Sequence, residues 1–204
     1  HRPGVRRMKP AIRIRDDLQL IYDWIPSGSR VLDLGCADGE LLAALVAHKH
    51  CHGYGVEIDT DSVLAAMQRG INVIQADLEQ GLQHFEDASF DVIVLSQTIQ
   101  AMQNTETILQ DMMRVAKEAI VSFPNFGYWK NRLQIGLLGH MPVSERMPYQ
   151  WYNTPNIHWC TLQDFEQLCA QNRLTVLERA VMSGSRRITK LPNLRGSLAF
   201  YRVG

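Results

Sequence analysis

The chain has 204 residues, of which 46% are hydrophobic and 21% charged, and its 21 basic residues balance 21 acidic ones. That length suits one domain with a sizeable core, and the composition is ordinary for a soluble globular protein. Zero net charge gives no global attraction to nucleic acid or an anionic membrane, and no apolar run approaches the ~18 residues of a membrane span.

Charge is unevenly spread. Arg2, Arg6, Arg7, Lys9, Arg13 and Arg15 fall in the first fifteen residues with no acid among them, so 15 basic residues face 21 acidic ones over the rest. Such an arm is either a contact for nucleic acid or a partner, or a frayed terminus or cloning remnant, which the opening His1 favours. The expected division is residues 1–15 as a basic arm or remnant and residues 16–204 as a single domain with an aromatic-rich insertion at 124–160.

Residues 18–25 carry Leu18, Ile21, Tyr22 and Ile25 at helical spacing, stopped by Pro26-Ser27-Gly28-Ser29. Residues 30–34 (RVLDL) read as a buried strand, 35–39 as a tight loop and 40–47 as a Leu- and Ala-rich helix. A strand at 54–58 and a helix at 59–69 follow, with Thr60 or Asp61 as N-cap and Gly70 as stop. Residues 71–76 form a third strand and 90–96 (FDVIVLS) a fourth, apolar enough to be central. A helix over 105–117 packs Ile108, Leu109, Met112, Met113 and Ala116, with the methionines as core filler. Residues 119–123 form a fifth strand.

The alternation then stops. Residues 124–160 are irregular and hold Tyr128, Trp129, Tyr149, Trp151, Tyr152 and Trp159. A connection this long is usually functional, and so many aromatics argue against disorder. Thr161-x-x-Asp164 is a capping box for a helix reaching about Asn172. Residues 174–181 and 197–203 are two closing strands around a turn at Ser183-Gly184-Ser185. The sum is an α/β Rossmann-like fold: a mainly parallel seven-stranded sheet with an antiparallel final hairpin and helices on both faces.

The strongest chemical signal is Val31-Leu32-Asp33-Leu34-Gly35-Cys36-Ala37-Asp38-Gly39, an apolar strand running through small residues into a helix. Glycines there let backbone approach a ligand, and the helix offers free N–H groups. Glu57, 22 residues beyond Gly35, ends the second strand, where a doubly wound sheet sets a carboxylate beside the loop to bind ribose hydroxyls. NAD and S-adenosylmethionine both fit these features. Three details favour the second. The loop reads G-x-A-x-G rather than G-x-G-x-x-G. Asp33 would repel a pyrophosphate but can face an ammonium. Asp77 can accept from an adenine amino group while Leu78 covers the ring.

On these residues the chain resembles the class I S-adenosylmethionine-dependent methyltransferases over roughly residues 18–123. The resemblance implies cofactor contacts from Asp33, Gly35, Glu57, Asp77 and Leu78, with Cys36, Ala37, Gly39, Ile58 and Ser96 as neighbours in the same site, and S-adenosylmethionine or S-adenosylhomocysteine as ligand. Ala37 departs from the glycine of many members. A closer resemblance runs through VLDLGCADGELL, GYGVEID, VLSQTIQAM, SFPNFGYWKNR and WYNTPNIHWCTLQDFEQLC. These segments look like the MetW family of methionine biosynthesis proteins, and that likeness implies homoserine O-acyltransferase (MetX-like) as partner.

On the substrate side, the fourth strand runs into Ser96-Gln97-Thr98-Ile99-Gln100, not N-P-P-Y, which disfavours the nucleic-acid amino-methylating enzymes. Gln97, Gln100, Asn125, Tyr128, Trp129, Asn156 and His158 are candidates for an acceptor pocket or lid. The aromatic insertion is either that lid or a docking surface, with Arg132 and Arg146 beside the aromatics. Catalytic residues are not identifiable, and no metal site is expected, since His48, His50 and His52 lack ligand spacing. Cys36, Cys51, Cys160 and Cys169 form neither a C-x-x-C pair nor a disulfide framework, which reads as reduced thiols in a cytoplasmic protein. Three functions stand: an accessory or regulatory protein of methionine biosynthesis, a small-molecule methyltransferase and, weakest, a nucleic-acid methyltransferase using the arm.

Overall fold

A computed structural model describes residues 14–204, so the expected basic arm lies outside the described residues except for Arg15. Eight strands form one sheet in the order β3-β2-β1-β4-β5-β8-β6-β7: β1 Arg30–Leu34, β2 His52–Glu57, β3 Asn72–Gln75, β4 Phe90–Ser96, β5 Ala116–Pro124, β6 Val176–Ser183, β7 Arg186–Arg187 and β8 Leu198–Val203. The first five are parallel, β8 runs antiparallel to β5 and β6, and β6 is antiparallel to β7. The chain winds one way from β1 to β3 and the other way from β4 onward. The crevice outside the carboxyl ends of β1 and β4 is therefore the topological switch point, where open α/β sheets bind ligands.

Alternation along the central strands sorts the core onto two faces. Val31, Val92, Val94 and Ile120 pack with Leu18, Ile21 and Tyr22 of α1 (Asp16–Trp24) and Leu41, Leu42 and Leu45 of α2 (Glu40–Lys49). Leu32, Leu34, Ile93, Leu95, Val121 and Phe123 pack on the other face. Their partners there come from two helices, Ile108, Leu109, Met112 and Val115 of one at Thr105–Val115 and Leu162, Phe165 and Cys169 of one at Leu162–Gln171. A 3-10 turn at Leu78–Gln80 fills the crossover between β3 and β4, and α3 (Thr60–Gln68) joins β2 to β3. With α3 counted, the helices at 105–115 and 162–171 are α4 and, after a short α5 at Trp129–Leu133, α6.

The structure corrects several boundaries. The α3 cap is Asp59, one residue before Thr60, and its carboxylate accepts the Ser62 N–H at 2.9 Å. No loop separates α4 from β5: the helix ends at Val115 and the strand begins at Ala116, three residues before the apolar run that betrayed it. The closing strands are an antiparallel pair, but not a simple hairpin. The two-residue β7 and the short helix α7 (Pro192–Arg195) lie between them, and β8 inserts between β5 and β6. The sheet thus has eight strands rather than seven, because Arg186–Arg187 is too short and too polar to register as a strand pattern. The capping box on α6 forms as expected, with Thr161 and Asp164 bonded reciprocally.

Residues 124–160 are not wholly irregular. They hold α5 and a π-helical turn at Gln134–Leu138. Phe126 packs on Trp159 with centroids 5.4 Å apart. Leu137, Leu138, Trp151 and Tyr152 are exposed, Trp151 by 73%.

Candidate cofactor-binding site

Two chambers open at the switch point and share Gly35. One, of about 280 Å³, is lined by Gly35, Val56, Glu57, Ile58, Ala76, Asp77, Leu78, Glu79, Thr98, Ala101 and Met102. The other, of about 260 Å³, is lined by Arg15, Leu18, Asp33, Gly35, Cys36, Ala37, Asp38, Glu40, Leu41, Ser96 and Gln97. Gly35 makes the junction possible. Its φ is +71°, and a Cβ there would stand 2.9 Å from Thr98 Oγ1. Its N–H donates to Val56 O at 2.8 Å, which ties the loop to the end of β2.

The apolar chamber has walls suited to a flat aromatic base: Leu78, Met102, Val56 and Ala76. Asp77 Oδ1 accepts the Glu79 N–H at 3.0 Å and starts the 3-10 turn. Sequence reasoning missed Glu79. Its Oε1 accepts the Gln103 N–H at 2.6 Å, while its buried Oε2 has no partner within the protein. A buried carboxylate oxygen without a protein partner takes its donor from water or from a ligand.

Glu57 holds the loop as well as facing the chamber. Its Oε2 accepts the Ala37 N–H at 2.9 Å, and its Oε1 accepts those of Ile58 at 2.8 Å and Asp59 at 3.0 Å. A carboxylate has about four acceptor positions, so three are taken and about one remains for a ribose hydroxyl. Ala37 sits at φ +47°, in the left-handed region that favours glycine. Ala37→Gly should therefore stabilise the fold by about 1 kcal/mol, raising the melting temperature by about 2–4 °C. A thermal melt that moved down would show that the alanine methyl packs productively.

Asp33 lies at the end of the second chamber and is 4% exposed. Burial pushes its carboxyl up to about 7, with Glu57 adding to the rise and Arg15 opposing it. A cation placed there would hold the charge. Burial also pushes the Cys36 thiol up to about 12, so it is an inert wall rather than a nucleophile. Ser96 Oγ lies 3.0 Å from Ser122 Oγ. Gln97 takes φ +52°, its N–H donates to Ser122 O at 2.8 Å, and its Nε2 donates to Asp17 Oδ2 at 2.7 Å.

The other substrate-side candidates do not converge on this cleft. Gln100 and His158 line a separate cavity of about 470 Å³ with Ile99, Cys160, Phe165 and Leu168. It is roomier than either chamber, yet the acids and the glycine loop lie outside it. Asn125 is buried and fully employed, donating to Asn193 O and Gly196 O and accepting the Gly127 N–H. Tyr128 caps α5 beside Trp129, which is 43% exposed. Asn156 lines an aromatic pocket with Phe126, Trp151 and Trp159. All four cysteines are unbridged, and among the described residues no three His, Cys, Asp or Glu side chains gather as metal ligands. No helix among the described residues is long and apolar enough to cross a membrane.

The sheet order and the switch-point cleft define a class I methyltransferase fold. A S-adenosylmethionine-dependent methyltransferase of Thermotoga maritima superposes with a TM-score of 0.66 at 19% identity, over 92% of this chain and 86% of its own. One of Mesorhizobium loti gives 0.68 at 15% identity over 95% and 99%. At these identities the likeness is one of fold. The sequence profile described as "Methionine biosynthesis protein MetW" matches residues 15–203, and the chain belongs to the MetW family. The "Bifunctional methionine biosynthesis protein MetXA/MetW" of Rhodopirellula baltica is 38% identical over 176 residues, 82% of this chain. The chain spans 28% of that relative's length.

Proposed function

We propose that this protein binds S-adenosylmethionine or S-adenosylhomocysteine in the paired chambers and acts as an accessory or regulatory partner of homoserine O-acyltransferase. The observation that carries the ligand assignment is the two-chamber cleft pivoting on Gly35: apolar walls with acids on one side, the buried Asp33 on the other. The apolar chamber takes adenine between Leu78 and Met102, Glu57 takes a ribose hydroxyl, and Asp33 takes the amino acid's ammonium. A pyrophosphate would meet six carboxylates against a single cation, Arg15, which argues against a dinucleotide.

The partner reading has separate support. A relative in the same family carries the names MetXA and MetW in one chain. The insertion also exposes Leu137, Leu138, Trp151 and Tyr152, and aromatic residues of this kind dominate interface energetics.

A second reading, small-molecule methyl transfer, is favoured by one observation. The 470 Å³ cavity and the apolar chamber are both walled by the segment 98–103. S-adenosylmethionine when bound supplies an electrophilic methyl, and the cavity is of a size to hold an acceptor. Calorimetric titration with S-adenosylmethionine, S-adenosylhomocysteine and NAD tests the site. Co-purification with the acyltransferase and a change in its rate test the partnership. Saturable binding of the adenosyl ligands and none of NAD is the expected result. Demethylated cofactor accumulating with a metabolite extract, without any effect on the acyltransferase, would move the conclusion to the second reading.

A further inference from the structure

The second chamber carries a residue whose role neither the fold nor the family match assigns. Arg15 is the one basic side chain lining either chamber among the described residues, against the carboxylates of Asp33, Asp38, Glu40, Glu57, Asp77 and Glu79. It is held at the first turn of α1 by two acids. Its N–H donates to Glu40 Oε1 at 3.0 Å, and its Nε lies 3.4 Å from Glu40 Oε2 and 3.6 Å from Asp17 Oδ1. Asp17 accepts from Gln97 on the opposite wall at 2.7 Å. The first turn of α1 is thus tied to the start of α2 and to the end of β4, the two elements that flank the chamber, while Leu18 anchors it in the core at 5% exposure.

S-adenosylmethionine brings two positive charges and one carboxylate to this cleft. The acids suit its sulfonium and ammonium. Its carboxylate would be repelled unless a cation met it, and both ion pairs of Arg15 are longer than a charge-assisted hydrogen bond of ~2.8 Å. The guanidinium is therefore loosely held and has donors to spare. We propose that Arg15 is the carboxylate-binding residue of the cleft, turning from Glu40 and Asp17 to the carboxylate of the amino-acid end of the ligand. It makes the site selective for adenosyl ligands that keep an intact amino acid. This inference rests on the S-adenosylmethionine reading of the cleft.

The test compares S-adenosylmethionine with its decarboxylated form, which keeps adenosine, sulfonium and ammonium but lacks the carboxylate. Both are titrated calorimetrically into the intact protein, Arg15→Met and Arg15→Lys. Arg15→Met should weaken S-adenosylmethionine by about 10-fold, the lower end for a charge-assisted bond because Arg15 is well exposed. The decarboxylated ligand should bind Arg15→Met as tightly as the intact protein or more tightly, since a repelling cation is gone. Arg15→Lys should recover part of the loss. Equal weakening of both ligands would reduce Arg15 to a brace for α1 and overturn the proposal, as would no change with either. If the intact protein bound neither ligand, the cleft assignment itself would fall, an outcome visible before any variant is made.

Discussion

Replacing Asp33 with Asn should stabilise the ligand-free protein, more at pH 8 than at pH 5, while weakening its hold on an aminated ligand. The carboxyl is buried, and its value rises from 3.8 to about 7. Between those two values the folded state keeps a proton that the unfolded state has released. Stability from this group is therefore fully present below about pH 3.8 and is lost as pH rises through about 7. At 1.36 kcal/mol per pH unit the full loss is on the order of 4 kcal/mol, of which somewhat less than half has already occurred by pH 5. The neutral isostere escapes it. The advantage of Asp33→Asn should therefore grow by roughly 2–3 kcal/mol from pH 5 to pH 8, about 4–12 °C in melting temperature. Ligand binding carries the opposite sign. An ammonium needs the ionised carboxylate, so binding releases a proton, and affinity in the native protein should rise up to about tenfold per unit toward pH 7 and level off above it. Calorimetry in buffers of different ionisation heat reads that proton directly. An affinity flat between pH 5.5 and 8 would remove Asp33 from the ligand's charged end.

Most of the sheet and half of the cleft were legible in the sequence. The β1 and β4 limits match the expected 30–34 and 90–96 because both strands are buried on both faces and end in abrupt polar or glycine signals. The loop, Glu57, Asp77 and Leu78 were legible because a doubly wound sheet fixes where strand ends meet. What was not legible came from distant contacts. Glu79 reaches the apolar chamber from the 3-10 turn at Leu78–Gln80 and Met102 from the end of another at Ile99–Ala101, turns too short to leave a periodicity, and Arg15 is indistinguishable from the arm until α2 presents Glu40 to it. Asn125 looked like a ligand group because it follows a strand end. Only the fold shows that Asn193 and Gly196, about seventy residues later, occupy its amide. From sequence Gln100 reads as a group for an acceptor or for the methionine end of the cofactor; its side chain turns back to Gln97 O at 2.7 Å, and the residue lines the 470 Å³ cavity rather than either chamber.

Glu57→Gln should weaken adenosyl ligands by about 10- to 100-fold and also destabilise the empty protein, and the two effects have different origins. From sequence alone the carboxylate had two ribose hydroxyls to itself. The structure gives three of its acceptor positions to Ala37, Ile58 and Asp59, so the ligand is left with about one charge-assisted bond of roughly 1.5–3 kcal/mol. A glutamine can turn its oxygen to Ile58 and Asp59, but its NH₂ then meets the Ala37 N–H, donor against donor. That contact should cost about 1–2 kcal/mol, or about 2–8 °C in melting temperature, without any ligand. Glu57→Ala would strip all three backbone groups at once and confuse the two roles. The pair of ligands that separates them is S-adenosylmethionine and 5′-methylthioadenosine. Both carry the ribose, so both should lose affinity in Glu57→Gln by the same factor. A variant that melts lower yet binds both as tightly as the native protein would make Glu57 a brace for the glycine loop, with the ribose held elsewhere.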